Sequence, residues 1–264
     1  MYLTWLDSNS WLVEFGEGDR TTRVLMDPWL VGDLMFGNAK WFFRGFRKSD
    51  RAIPENIDLI VLSQGLEDHA HPPTLKVLDK SIPVLGSPAA AKVATALGFT
   101  QVTTLEHDRV FTLDDRVKIQ ALEGSTVGPT TKENAYVMRD LLIGTTLYYE
   151  PHGYHSPKLK DIGEIDVVLS PMIDLKLPIV GAFIKGMSSS LELAKWVKPQ
   201  VMLPTAAGGD INFEGILIKA FKAEGGPQEL QQQLKDAGLK TRIIEPKPGV
   251  RTEIAIANPC PIIG

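Results

Sequence analysis

Cysteine is almost missing from this 264-residue chain. The single Cys260 cannot form an internal disulfide, and no thiolate zinc pattern is available to it. Such usage fits a reducing compartment. No run of about 18 uncharged apolar residues occurs, so no membrane-spanning helix is expected. The start, Met1-Tyr2-Leu3-Thr4-Trp5-Leu6-Asp7, lacks the basic stretch and apolar run of a secretory signal, and the expected location is cytoplasmic. Low-complexity segments, short repeats and linkers are also lacking. Neither sign of charge dominates: 28 Lys and Arg stand against 32 Asp and Glu, a formal net charge of -4. That balance argues against a nucleic-acid partner. At 44% hydrophobic and 23% charged residues, the chain is neither disordered nor fibrous, and its length suits one α/β domain, residues 1–264, with a substantial core.

Residues 2–6, 11–15 and 23–26 read as strands, with a turn at 16–19. An irregular stretch from 27 to about 52 follows, and 57–63 reads as a buried strand. Helices are then predicted at 73–80 and 89–97, with strands at 82–85 and 101–104. A second β-rich block runs over 110–150, including 117–122, 135–139 and 141–149. Residues 165–170 and 201–204 are strands, 189–197, 213–222 and 227–237 helices, and 241–244 and 253–256 closing strands. Two similar halves of this kind suggest two sheets face to face with helices outside.

Two polar clusters follow directly on predicted strands, where ligand groups commonly sit. The first is Ser63-Gln64-Gly65-Leu66-Glu67-Asp68-His69-Ala70-His71. Asp68, His69 and His71 there offer two imidazoles and a carboxylate within one turn, a partial metal site. The plainer reading makes Asp68 a helix cap and both histidines solvated. The second is Tyr149-Glu150-Pro151-His152-Gly153-Tyr154-His155, which otherwise reads as a polar surface loop. These two segments hold four of the five histidines.

Several stretches carry a resemblance: Thr4-Trp5-Leu6, Ser10-Trp11-Leu12-Val13-Glu14, Val24-Leu25-Met26-Asp27-Pro28-Trp29, the strand at 57–63 leading to Asp68-His69, Ile165-Asp166-Val167-Val168-Leu169-Ser170-Pro171, and Lys198-Pro199-Gln200-Val201-Met202-Leu203-Pro204. In this order they resemble the metallo-β-lactamase-fold superfamily, in its L-ascorbate-6-phosphate-lactonase-like, zinc-dependent hydrolase branch. The resemblance implies an α/β (α+β) fold, a four-layer αββα sandwich with the site along one edge. It also implies an H-x-H-x-D-H motif whose residues bind two metal ions. Here Gln64 and Leu66 occupy the first two histidine positions, and Asp68 and His69 remain. The next ligand histidine falls near Ser125, the bridging aspartate on Pro151, the last histidine on Ala206 and an early one around Ser8. The usual di-metal site is therefore expected to be lost. His71, Glu150 and His152 lie beside ligand positions, and with Asp68 and His69 they would offer five N or O donors to one zinc, manganese or iron ion. The expectation favours no metal, with these groups hydrogen-bonded to one another. A metal-free route would use His152 or His69 as general base, oriented by Glu150 or Asp68, on water or on Ser125.

Two apolar stretches remain. Residues 27–52 hold Trp29, Phe36, Trp41, Phe42, Phe43 and Phe46, with Lys40, Arg44, Arg47, Lys48 and Arg51 against Asp50 alone between 40 and 51. The other, at about 173–187, includes Phe183. Three readings compete for the first: a lid on the chain's own pocket, a homodimer contact, or membrane-surface docking through residues 29–51. The functional expectation is a non-catalytic or weakly catalytic protein that binds an apolar or amphipathic molecule or a protein partner, with Gln64, Trp29, Phe36, Trp41 and Phe183 meeting the ligand. The alternative is a metal-dependent hydrolase of an ester, lactone or phosphoester, with Asp68, His69 and His152 as its catalytic residues.

Overall fold

The computed structural model describes residues 1–16, 18, 21–128, 130–178, 181–257 and 259. Cys260, two residues of the turn at 16–19, and Ile179 and Val180 of the second apolar stretch lie outside them. Two seven-stranded sheets dominate. The first runs, in spatial order, Arg251–Glu253, Tyr2–Trp5, Trp11–Phe15, Thr22–Met26, Leu59–Leu62, Val84–Gly86 and Val102–Thr104. The second runs Arg242–Ile243, Val201–Pro204, Val167–Ser170, Thr146–Tyr149, Thr131–Asp140, Val117–Val127 and Val110–Leu113.

The pleat decides how they stack. In the Leu59–Leu62 strand, Leu59 and Val61 enter the core between the sheets, whereas Ile60 and Leu62 face outward. On that outer side they pack with Leu75, Ala90 and Ala94 of the helices Pro72–Val77 and Pro88–Ala96. The second sheet does the same with Val168 and Met202 against Leu193, Leu230 and Leu234 of the helices Gly186–Val197 and Pro227–Asp236. Burial on both faces explains why these strands are continuous apolar runs rather than alternating ones. The result is the expected αββα sandwich. No helix among the described residues is long and apolar enough to cross a membrane.

The two apolar stretches depart from their expected form. The stretch at 27–52 contains a strand, Arg44–Phe46, paired antiparallel with Asn212–Glu214. The second folds into a hairpin, Asp174–Leu177 with Gly181–Lys185, and Lys222–Glu224 pairs with its first strand. The helix predicted at 213–222 is accordingly three pieces: Asn212–Glu214, a helical turn Ile216–Ala220, and Lys222–Glu224. Gly215, at φ 116°, breaks it, because a helix requires negative φ at every residue.

Candidate metal centre

The site forms where strand ends of both sheets meet. After Thr22–Met26 the chain turns through Asp27, whose φ of 40° aspartate tolerates better than most residues. Its fully buried carboxylate is a hub. Asp27 Oδ1 accepts from the Ser63 amide (2.7 Å), and Oδ2 accepts from the Ser63 hydroxyl (2.5 Å), the Tyr149 hydroxyl (2.6 Å) and His69 Nδ1 (2.7 Å). Sequence alone assigns Asp27 no role beyond its place in the Val24–Trp29 stretch. Its position directly after a buried strand was the available signal.

A proton held on His69 Nδ1 by Asp27 leaves Nε2 facing Asp68, whose Oδ2 lies 3.2 Å away. Asp68 Oδ1 is buried without a hydrogen-bond partner, and His69 Nε2 has no partner beyond that approach of Asp68 Oδ2. His152 completes the group: the ring centroids of His69 and His152 are 5.0 Å apart, and one ligand atom from each of Asp68, His69 and His152 lies within 4.8 Å of the others. Unpaired buried donors and acceptors are rare in native proteins, and an ion or ordered water is their ordinary explanation.

The expected histidine positions at 64 and 125 are filled by other side chains. Gln64 Nε2 lies 2.5 Å from the Ser125 hydroxyl and 2.9 Å from His152 Nδ1, and that nitrogen lies 3.1 Å from Ser125. All three side chains are buried. As placed, the Gln64 amide donates to His152 Nδ1 and leaves the proton on Nε2. Turning the amide end for end would reverse the roles and free Nε2 to bind a metal.

His71 and Glu150 stand outside the group. The Thr74 hydroxyl donates to His71 Nδ1 (3.0 Å), and His71 Nε2 donates to the Asp33 carbonyl (3.2 Å), so this imidazole braces the 27–52 segment. Pro72 opens a helix directly after His71 and turns it from Asp68. Glu150 Oε2 accepts from the amides of His152 (3.0 Å), Gly153 and Tyr154 (2.8 Å), shaping the loop that presents His152. That loop is fixed against the hairpin, where the Lys185 amide donates to the His152 carbonyl (2.8 Å).

The residues expected to meet a ligand separate too. Phe183 packs edge-on to His152, centroids 5.5 Å apart, and 44% of it is exposed. Trp29 is fully buried between His71 and the Arg47 guanidinium. Phe36 packs on Phe43, 5.0 Å between centroids, and Trp41 is 69% exposed on the outer face of the same segment.

Electrostatics follow from this packing. Burial opposes charge on His69, but the carboxylates of Asp68 and Asp27 outweigh it and push the pKa up to about 10. Burial likewise opposes charge on Asp68, yet the His69 charge beside it brings its pKa down to about 2. Burial raises Glu150 to about 7 against its three amides. Burial, reinforced by the positive His69, lowers His152 to about 3, and burial lowers His71 to about 4 and His155 to about 3. A depressed histidine contributes stability that is complete above its ordinary value and lost as pH falls toward the folded one. Glu150, being raised, runs the other way and loses its contribution as pH rises through about 7. Three histidines against one glutamate give net uptake of about two protons on unfolding below pH 6.5, or at most about 3 kcal/mol per pH unit. The urea midpoint of metal-free protein is expected to fall steeply from pH 6.5 to 5; a flat midpoint would mean these imidazoles are not buried neutral.

No curated protein matches the chain in sequence. Among solved structures it is similar to a metallo hydrolase from the archaeon Ignicoccus hospitalis, at 18% identity and TM-score 0.65 over 96% of this chain and 99% of that one. The isothiocyanate hydrolase from Delia radicum gut bacteria gives 15% identity and TM-score 0.69 over 97% and 99%. A diiron β-hydroxylase from Streptomyces venezuelae gives 14% and 0.65 over 96% of this chain and 54% of its own. Hydrolases and a diiron enzyme on one fold show that the fold leaves the reaction open. Residues 2–206 match the β-lactamase superfamily domain, and together with the αββα sandwich this places the chain in that family, as a metallo-β-lactamase-fold protein.

Proposed function

We propose that the chain is a divergent metallo-β-lactamase-fold hydrolase with a one-metal site, acting on an ester, lactone or phosphoester bond. The supporting observation is the convergence of Asp68, His69 and His152, with Asp68 Oδ1 buried and unpaired. Those three residues would hold the ion. When bound, a divalent ion there supplies Lewis acidity, polarising a carbonyl or phosphoryl oxygen and making water more acidic. Asp27 fixes the orientation and tautomer of His69, Glu150 holds the loop that carries His152, and Gln64 and Ser125 set the His152 ring. Phe183 gives the His152 side an apolar wall.

A metal-free binding protein is the second reading. The favouring observation is the Asp27–His69–Asp68 array, in which two carboxylates compensate one imidazolium. Elemental analysis separates the two. Tag-free protein, purified without chelator and supplied with zinc, manganese and iron, is expected to hold about one ion per chain, lost in His69→Ala and in Asp68→Ala. Substoichiometric metal, with no thermal shift on adding zinc, would remove the hydrolase reading and leave the binding protein.

A further inference from the structure

We propose that the lobe formed by residues 34–46 and 211–222 is a docking surface for an anionic lipid bilayer. The lobe is firmly built. Arg44–Phe46 pairs with Asn212–Glu214, the Ile216 amide donates to the Trp41 carbonyl (3.1 Å), and the Leu217 amide to the Phe42 carbonyl (3.0 Å). Phe43 and Ile211 form its small core with Trp29 and Leu34. What the core does not cover is apolar: Trp41 is 69% exposed, Ile216 55% and Phe213 40%. The two backbone bonds set Trp41 beside Ile216, so the lobe's two most exposed apolar groups form one tip.

The charge around this tip identifies the partner. Residues 34–46 and 211–222 contain four bases, Lys40, Arg44, Lys219 and Lys222, and one acid, Glu214, in a chain whose net charge is -4, and Arg47 and Lys48 follow directly. Arg44 is engaged with Asp33 and Glu214, and Arg47 with Asp7. Lys40, Lys48, Lys219 and Lys222 are exposed, with no ion pair among the described residues. An indole and an aliphatic side chain flanked by uncommitted lysines suit the headgroup boundary of an anionic bilayer. An anionic surface would attract this lobe and repel the acidic remainder, which orients the protein. A second copy is disfavoured by the same charge, since two basic lobes would face each other. From the lobe, Phe221 leads to Phe183 (6.4 Å between centroids), and Phe183 leads to His152, so ring contacts connect the docking lobe to the site.

The test needs no turnover and is independent of the metal. Full-length protein is mixed with vesicles of phosphatidylcholine alone, or with about one third phosphatidylserine, and floated. Binding to the anionic vesicles only is expected, weakened by about 0.5 M salt and by about fivefold per lysine in Lys40→Gln and Lys219→Gln. Trp5, Trp11 and Trp29 are buried and Trp196 is half-buried, so a blue shift of emission that is lost in Trp41→Phe would report Trp41 entering the interface. Trp41→Ala with Ile216→Ser is expected to weaken binding about tenfold or more with an unchanged unfolding midpoint. Absence of binding, or equal binding by this variant, overturns the proposal. So does a dimer in solution that the variant dissociates, because the face would then belong to a second copy.

Discussion

Replacing Asp27 by alanine is expected to destabilise the chain by about 3–5 kcal/mol, measured by urea unfolding at pH 7. The carboxylate is fully buried and holds Ser63, His69 and Tyr149 at once, so its removal leaves the imidazolium to Asp68 alone and strands two hydroxyls away from water. Asp27→Asn keeps the shape, and its loss should be smaller. It would nonetheless remove the charge that keeps the proton on His69 Nδ1, lowering metal occupancy about 10–100-fold if the site binds an ion. A loss below about 1 kcal/mol in the alanine variant would mean that the four contacts do not coexist in solution.

Arg47→Ala should be comparably damaging, at about 3–5 kcal/mol by the same measurement. Its side chain is 2% exposed, with Nε on Asp7 Oδ2 at 2.6 Å and Nη2 on the Trp29 carbonyl at 2.8 Å. The guanidinium also lies over the Trp29 ring, 4.5 Å from its centroid. Removing it leaves Asp7 to Arg51 and the Asp210 amide and loosens the 27–52 segment on its anchor. Arg47→Lys should recover little, because an ammonium cannot present the planar fork that serves both the carboxylate and the carbonyl. Full rescue by lysine would show that charge alone matters there.

Both predictions turn on contacts the sequence hides. Strands such as Leu59–Leu62 were legible because burial on both faces writes an unbroken apolar run. The sandwich was legible because two such halves repeat. Asp68, His69 and His152 were legible as candidates because they follow strand ends, yet His71, two residues from His69, was not separable from them. Only the turn into the Pro72–Val77 helix sends it to Thr74 and Asp33. Asp27 meets its partners across 36, 42 and 122 residues, distances at which local pattern carries no information. The basic residues at 40–51 read as one charged surface, whereas burial divides them into anchors, Arg47 and Arg51, and free lysines. The apolar spacing at 213–222 imitates a helix because a strand, one turn and a strand can carry the same residues, and Gly215 is the only mark of the break.

The superfamily match ends at residue 206, just before the segment that pairs with both apolar stretches. Asn212–Glu214 grips one of them and Lys222–Glu224 the other, with a single helical turn between. The two apolar stretches are thus coupled through a short tether outside the matched residues. Exchanging that tether would disturb the pairing of both stretches at once while leaving the residues that carry Asp68, His69 and His152 unaltered.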